Sequence, residues 1–212
     1  MDFLSKIEPH HLDVLKEVGN IGAGNAATAL SVLLKKGIDM NVPSVRVVSF
    51  QDITELVGGP DTIVCAIFLR IEGEAPGSMF FMVPVNEAEK LIRPLIGDPL
   101  FQLEHPPFME MGLSALQELG NILAGSYLSS LSDFTKLHLY PSVPALSIDM
   151  AGAILSYGLF ELSQVSDFAI VIDTAISETD KNRTNATGYF FLLPDPPSFE
   201  KIFLSLGVQL ND

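Results

Sequence analysis

The chain has 212 residues, 48% of them hydrophobic, and 12 Lys and Arg against 26 Asp and Glu give a formal charge of −14. That excess of negative charge excludes a nucleic acid or an anionic membrane surface as partner, because the protein would repel a polyanion rather than release its counterions. One cysteine, Cys65, supports neither an internal disulfide nor a zinc cluster, and His10, His11, His105 and His138 lack metal-ligand spacing, so no metal bound by this chain is expected.

The N-terminus has no basic and apolar signal pattern, and no apolar run reaches the roughly eighteen residues of a membrane span. A cytoplasmic protein with no membrane insertion is therefore expected. In that setting the sequons at Asn182 and Asn185 carry no weight.

The first element is a long helix over Pro9 to Lys36, in which Leu12, Leu15 and Val18 recur at helical spacing. Its glycines, Gly19, Gly22 and Gly24, read G-x-x-G-x-G. They match neither the dinucleotide fingerprint nor a P-loop, and they follow helix rather than strand. A wheel at 100° per residue puts Leu15, Val18, Gly22, Ala26, Ala29 and Leu33 on one face. Asp13, Glu17, Asn20, Gly24 and Ser31 fall on the other. A strand then begins at Pro43, in SVRVVSFQDI, and runs into a short polar turn. Strands over Thr62 to Ile71 and Gly77 to Val83 are joined by EGEAPG, the first holding Cys65 as a small buried hydrophobe, and VNEAEKLIRPLIG closes the half as a helix. GDPLFQLEHPPF is a tight crossover.

The series then repeats. A second long helix over Pro107 to Lys136 contains LSALQELGNILAGSYLSSLS from Leu113, which lies on LDVLKEVGNIGAGNAATALS from Leu12 without a gap and with ten of twenty positions identical. Pro144 follows as Pro43 does, opening ALSIDMAGAI. Strands over Phe168 to Ala175 and Gly188 to Leu193 flank the insertion ISETDKNRTNAT, and PPSFEKIFLSLG ends the second half. The expectation is an α+β fold of one domain over 1–212. Halves at about 9–100 and 107–207 are related by internal duplication and a pseudo-twofold axis, with helices covering a mainly antiparallel sheet.

Mid-helix asparagine is costly because its side chain competes for backbone hydrogen bonds. Its appearance at Asn20 and Asn121, three residues after Glu17 and Glu118, points to function. The pattern (Asp or Ser)-x-x-x-Glu-x-x-Asn, then Pro after twenty-two residues, is read by Asp13, Glu17, Asn20 and Pro43, and again by Ser114, Glu118, Asn121 and Pro144. This closely resembles the CheC family of bacterial chemotaxis phosphatases, which includes CheX and the flagellar switch protein FliY. Two motifs in a chain of this length resemble the CheC branch more than the single-motif CheX or the longer FliY.

The resemblance implies hydrolysis of the aspartyl phosphate of the response regulator CheY. Asn20 and Asn121 would orient an in-line water, and Glu17 and Glu118 would pair with the regulator's lysine. No cofactor is then needed on this chain, since Mg²⁺ would belong to the CheY active site. Pro43 and Pro144 are structural members of the motif. Asp13 and Ser114 are either part of the face or solvated capping residues. Gly24 and Gly125 either admit the regulator's loops or serve helix packing. Family members also bind the receptor deamidase CheD by offering a short helix that imitates its receptor substrate, for which the candidate surface is Asp149, Met150, Ala151, Gly152, Ala153, Ile154, Leu155, Ser156 and Tyr157. The alternative for that stretch is a buried apolar connection. The competing function is a non-catalytic phospho-CheY sink or adaptor related to flagellar switch proteins.

Overall fold

The computed structural model describes residues 7–103, 109–162, 168–179 and 185–207, without the side chains of Phe50, Gln51, 157–162 and Asn185. His105, Asn182 and the expected helix start at Pro107 lie outside the described residues. Two long helices, α1 (Pro9–Leu34) and α4 (Glu110–Thr135), carry the repeat. They end at Leu34 and Thr135, just short of the expected Lys36 and Lys136. Lys35 and Lys136 stop them in the left-handed conformation, at φ 52° and 57°, a cap more often given to glycine.

After α1 come β1 (Ile38–Asn41), β2 (Val45–Ser49), α2 (Phe50–Leu56), β3 (Ile63–Gly73), β4 (Gly77–Pro84) and α3 (Val85–Ile96). After α4 come β5 (Leu139–Pro141), β6 (Ala145–Met150), α5 (Ala151–Leu162), β7 (Phe168–Glu178), β8 (Asn185–Pro194) and α6 (Pro196–Ser205) in the same order. The strands form an antiparallel sheet in the order β1-β7-β8-β4-β3-β5, with β2 also on β7 and β6 also on β3. The first strands of each half therefore pair with the other half. Local periodicity carries no sign of that exchange.

One expectation needs correction. The stretch after β2, expected as a short polar turn, is the helix α2, which Ser49 caps by accepting from Asp52 N at 3.3 Å, a Ser-x-x-Asp signal that marks a helix start; the stretch after β6, read both as such a turn and as a short partner-binding helix, is the helix α5. The strands expected after Pro43 and Pro144 are β2 and β6, and each proline stands between two short strands that share one neighbour. Val42, Pro43 and Ser44 stand opposite only Thr174 and Asp173, and Ser142, Val143 and Pro144 opposite only Arg70 and Leu69. Each proline thus sits in a one-residue bulge, where its missing N–H costs no ladder bond.

Alternation along the central strands feeds two cores. Cys65, Ile67, Leu69, Phe81, Ile170, Ile172 and Phe190 pack under α1, α3, α4 and α6. Val64, Ala66, Met82, Val171 and Phe191 pack on the opposite face against Ile53 of α2, Val57 just past its end, and Ala151 and Leu155 of α5. Covered on both faces, β4 is buried along nearly its whole length, which explains its unbroken apolar reading. Burial pushes the Cys65 thiol up to about 12, with the nearby Glu89 carboxylate adding to the effect. Among the described residues, no helix is long and apolar enough to cross a membrane.

At the start of α1 the buried His11 accepts from Glu8 N through Nδ1 at 2.9 Å and lies 5.3 Å, centroid to centroid, from Phe203. Its Nε2 has no partner among the described residues. Burial lowers its pKa, His10 lowers it further, and Glu8 opposes both. Because the folded ring binds its proton less readily than the unfolded one, stability is lost as pH falls below about 6.5, the unfolded value. Thermal unfolding followed from pH 8 to pH 5 should show that loss in the wild type and a shallower slope in His11→Asn, which keeps an acceptor but does not titrate.

Candidate functional site

Both motif helices lie on one face of the sheet and cross each other. The approach is closest at Gly22, where a Cβ would stand 3.0 Å from Tyr127 Cα. Asn25 Nδ2 donates across the crossing to Ser130 Oγ at 3.3 Å, and Tyr127 Oη bonds Thr174 Oγ1 at 3.0 Å, tying α4 to β7. Ser31, placed on the outward face by the wheel, instead turns toward β1: its Oγ donates to Ala27 O at 2.7 Å and accepts from Ile38 N at 2.9 Å. Its counterpart Ser132 donates to Leu137 O at 2.5 Å. The repeated serine therefore fixes where each helix hands over to its strand.

The rest of the wheel corresponds to the observed faces. Asp13, Glu17 and Gly24 are exposed and Asn20 is half-buried; Ser114, Glu118 and Asn121 are exposed and Gly125 is half-buried. Neither Glu17 nor Glu118 makes an ion pair or hydrogen bond among the described residues. A Cβ placed on Gly24 or on Gly125 would meet nothing within 4 Å. That removes helix packing as their explanation.

The two asparagines differ. Asn20 Oδ1 accepts from Val42 N at 2.9 Å, whereas Asn121 has no hydrogen bond among the described residues. Pro43 is exposed and Pro144 half-buried, each in its bulge. The group that sequence reasoning missed is the Val42 amide; its only sequence trace was the fixed spacing from Asn20 to Pro43.

In the expected partner stretch, Asp149 and Met150 are exposed at the end of the edge strand β6, and Ser156 is exposed. Gly152, Ala153 and Ile154 are half-buried. Ala151 and Leu155, one turn apart, are buried against the second core, and the side chain of Tyr157 lies outside the described residues. The stretch is thus neither wholly surface nor wholly core. A helix on a sheet must turn one face inward.

A cleft of about 350 Å³ between Lys36, Lys90, Arg93 and Glu178 contains no motif residue. Its cations are paired, Lys36 with Glu178, Lys90 with Glu87 and Arg93 with Glu89, at 3.1, 2.6 and 2.9 Å. Among the described residues no group of three His, Cys, Asp or Glu could hold a metal ion.

Solved structures of flagellar switch and chemotaxis proteins share this fold. The Thermotoga maritima FliY crystal structure matches with TM-score 0.71 at 18% identity, covering 95% of this chain and 98% of that one. CheX in the CheX–CheY–BeF3–Mg²⁺ complex of Borrelia burgdorferi matches with TM-score 0.50 at 15% identity, covering 82% and 96%. In sequence, the CheC-like family model matches residues 11–47 and 111–148, the two motif helices with their prolines. The CheY-P phosphatase CheC of Bacillus subtilis (strain 168) is 50% identical over 210 residues, 99% of this chain and 100% of that protein. The chain belongs to the CheC-like family.

The helix glycines should separate by role. Gly22→Leu should cost about 1–3 kcal/mol, the usual penalty of overpacking, because it forces α1 off α4. Gly24→Leu and Gly125→Leu should melt at or above the wild-type temperature, and a large drop in either would contradict the open space beside them.

Proposed function

We propose that this protein is a phosphatase of phosphorylated CheY, with Glu17 and Asn20 as one site and Glu118 and Asn121 as the other. The observation that carries the reading is that both Glu-x-x-Asn pairs lie on accessible helix faces, with carboxylates unpaired among the described residues and a bare glycine backbone one turn beyond each Asn. It is supported by the full-length relative named as a CheY-P phosphatase. The Borrelia CheX complex is of the same fold and holds CheY with Mg²⁺.

The chemistry needs little from this chain. Water oxygen attacks phosphorus as the aspartyl P–O bond breaks, giving a free carboxylate on CheY and inorganic phosphate. The regulator contributes the acyl phosphate, Mg²⁺ and a lysine, so the helper's task is positioning. An asparagine amide accepts from the water and donates through Nδ2 without bringing negative charge to the phosphoryl oxygens. Glutamate one turn earlier docks on the regulator's lysine. Gly24 and Gly125 let its loops approach the helices.

The same reading makes the protein cytoplasmic, where CheY acts. Residues 1–212 fold as one unit, since each half supplies edge strands to the other. It also gives the exposed part of 149–156 a partner, the deamidase CheD. Asp149, Met150 and Ser156 would form the contact, and the buried Ala151 and Leu155 would hold the helix in place.

The deciding experiment is the decay of phosphorylated CheY with Mg²⁺. Wild type should accelerate it, Asn20→Ala and Asn121→Ala should each retain part of the effect, and the double variant should return decay to the spontaneous rate. Binding without acceleration by the wild type would make the protein a sink or adaptor. Gly24→Leu with Gly125→Leu should lose CheY binding while remaining folded.

For CheD, Asp149→Lys should abolish co-purification and leave phosphatase activity intact. Unchanged binding would remove that surface from the proposal.

A further inference from the structure

The two copies of the motif share Gly-Asn-Ile at Gly19–Ile21 and Gly120–Ile122, and the residue before each motif proline is valine in both. Their surroundings nevertheless differ. Val42 is 2% exposed and Val143 is 91% exposed. On the first helix the bare Cα of Gly19 faces Val42, whose Cγ2 would lie 3.3 Å from an added Cβ, with Ile172 next at 3.6 Å. On the second, Ile67 Cδ1 would lie 2.4 Å from a Cβ on Gly120, so Ile67 fills the space and no atom of Val143 is among the nearest neighbours. Val42 is thus held from two sides: its side chain rests on Gly19 and its N–H donates to Asn20 Oδ1 at 2.9 Å.

We infer that the Val42 backbone N–H is a positioning group that presets the Asn20 amide, whereas Asn121 has no such group and is oriented only when its partner docks. This rests on the reading of Asn20 as the water-orienting residue. A carboxamide can turn over, exchanging its oxygen and nitrogen, and the flipped form here would set Nδ2 against the Val42 N–H, donor against donor. The bond therefore selects one orientation. It uses one lone pair of Oδ1, leaves the second for a water, and leaves Nδ2 without a partner among the described residues. Pro43 supports the arrangement by biasing Val42 to extended backbone and holding the bulge that turns its N–H away from the ladder and toward α1. The fixed spacing between motif Asn and Pro has a physical reason in this copy.

The test uses single-site proteins and phosphorylated CheY with Mg²⁺. In Asn121→Ala, where only the first site works, Val42→Pro removes the N–H and should lower the maximal decay rate roughly tenfold, the weight of one hydrogen bond, with the half-saturating CheY concentration unchanged. Val42→Ala keeps the N–H and should keep the rate. In Asn20→Ala, where only the second site works, Val143→Pro should change nothing. A full rate in Val42→Pro, or an equal loss in Val42→Ala, would overturn the inference.

Amide hydrogen exchange at Val42 reads the bond without any proline substitution. It should quicken roughly tenfold in Asn20→Ala and stay protected in Asn20→Asp, whose carboxylate still accepts. Unchanged exchange in Asn20→Ala would overturn the inference whatever the kinetics. Failure of Asn121→Ala to accelerate decay at all would instead remove the phosphatase reading of the first site, and the exchange result would stand apart from it.

Discussion

Everything in this molecule follows from one pairing constraint: neither half of the repeat closes its own sheet. β1 and β2 pair with β7 of the second half, and β5 and β6 pair with β3 of the first. Since α1 runs directly into β1 and α4 into β5, each motif helix is carried over the strands of the opposite half. The packing beneath the helices bears this out, with Gly19 over Ile172 and Gly120 over Ile67. The helices must then cross, and the chain lets them do so at Gly22 against Tyr127. Each candidate site is consequently built on a helix of one half held by strands of the other.

The helix faces were legible because a 3.6-residue period survives in sequence whatever lies beneath it. Asp13, Glu17 and Gly24 were placed outward by the wheel and are exposed. Ser31 was not, because a hydroxyl can reach back to the backbone from a face the wheel marks as polar. The long central strands were legible as apolar runs, while β1 and β5, four and three residues long, were too short to show a period. Strand exchange was invisible, because partners as far apart in the chain as Ile38 and Glu178, or Ile71 and Pro141, leave no mark on local pattern. The split of the 149–156 stretch into buried and exposed residues needed the second core, which the sequence does not announce.

The two copies diverge in environment although their motif residues agree, and the cause lies where the copies themselves differ. At the crossing α1 presents Gly22, whose repeat partner is Leu123, and α4 presents Tyr127, whose repeat partner is Ala26. The large ring belongs to one helix only, and its hydroxyl is committed to Thr174 on β7. Two helices that meet through a ring on one side and a bare backbone on the other cannot sit identically on their strands. Val42 is enclosed and Val143 is left out, and the amide of Asn20 acquires a backbone donor that Asn121 lacks among the described residues.

Glycine inside a helix costs about 1 kcal/mol relative to alanine, and that cost separates what the fold needs from what it does not. At Gly19, Gly22 and Gly120 the missing side chain lets Val42, Tyr127 and Ile67 come close, so the loss is offset by packing within the chain. At Gly24 and Gly125 an added Cβ would meet nothing within 4 Å, so the missing side chain serves no packing among the described residues. Both belong to exposed or half-exposed strips that also carry a mid-helix asparagine and a glutamate with no ion pair or hydrogen bond among the described residues. On the first helix the asparagine also serves the fold, since Asn20 accepts from Val42 N, whereas the glutamate and the open glycine backbone of each strip gain nothing among the described residues, and that difference is what the proposed docking role rests on. Under the proposed function each strip would be completed by a partner that brings its own phosphoryl group and cation, so that positioning is all the helix has to supply.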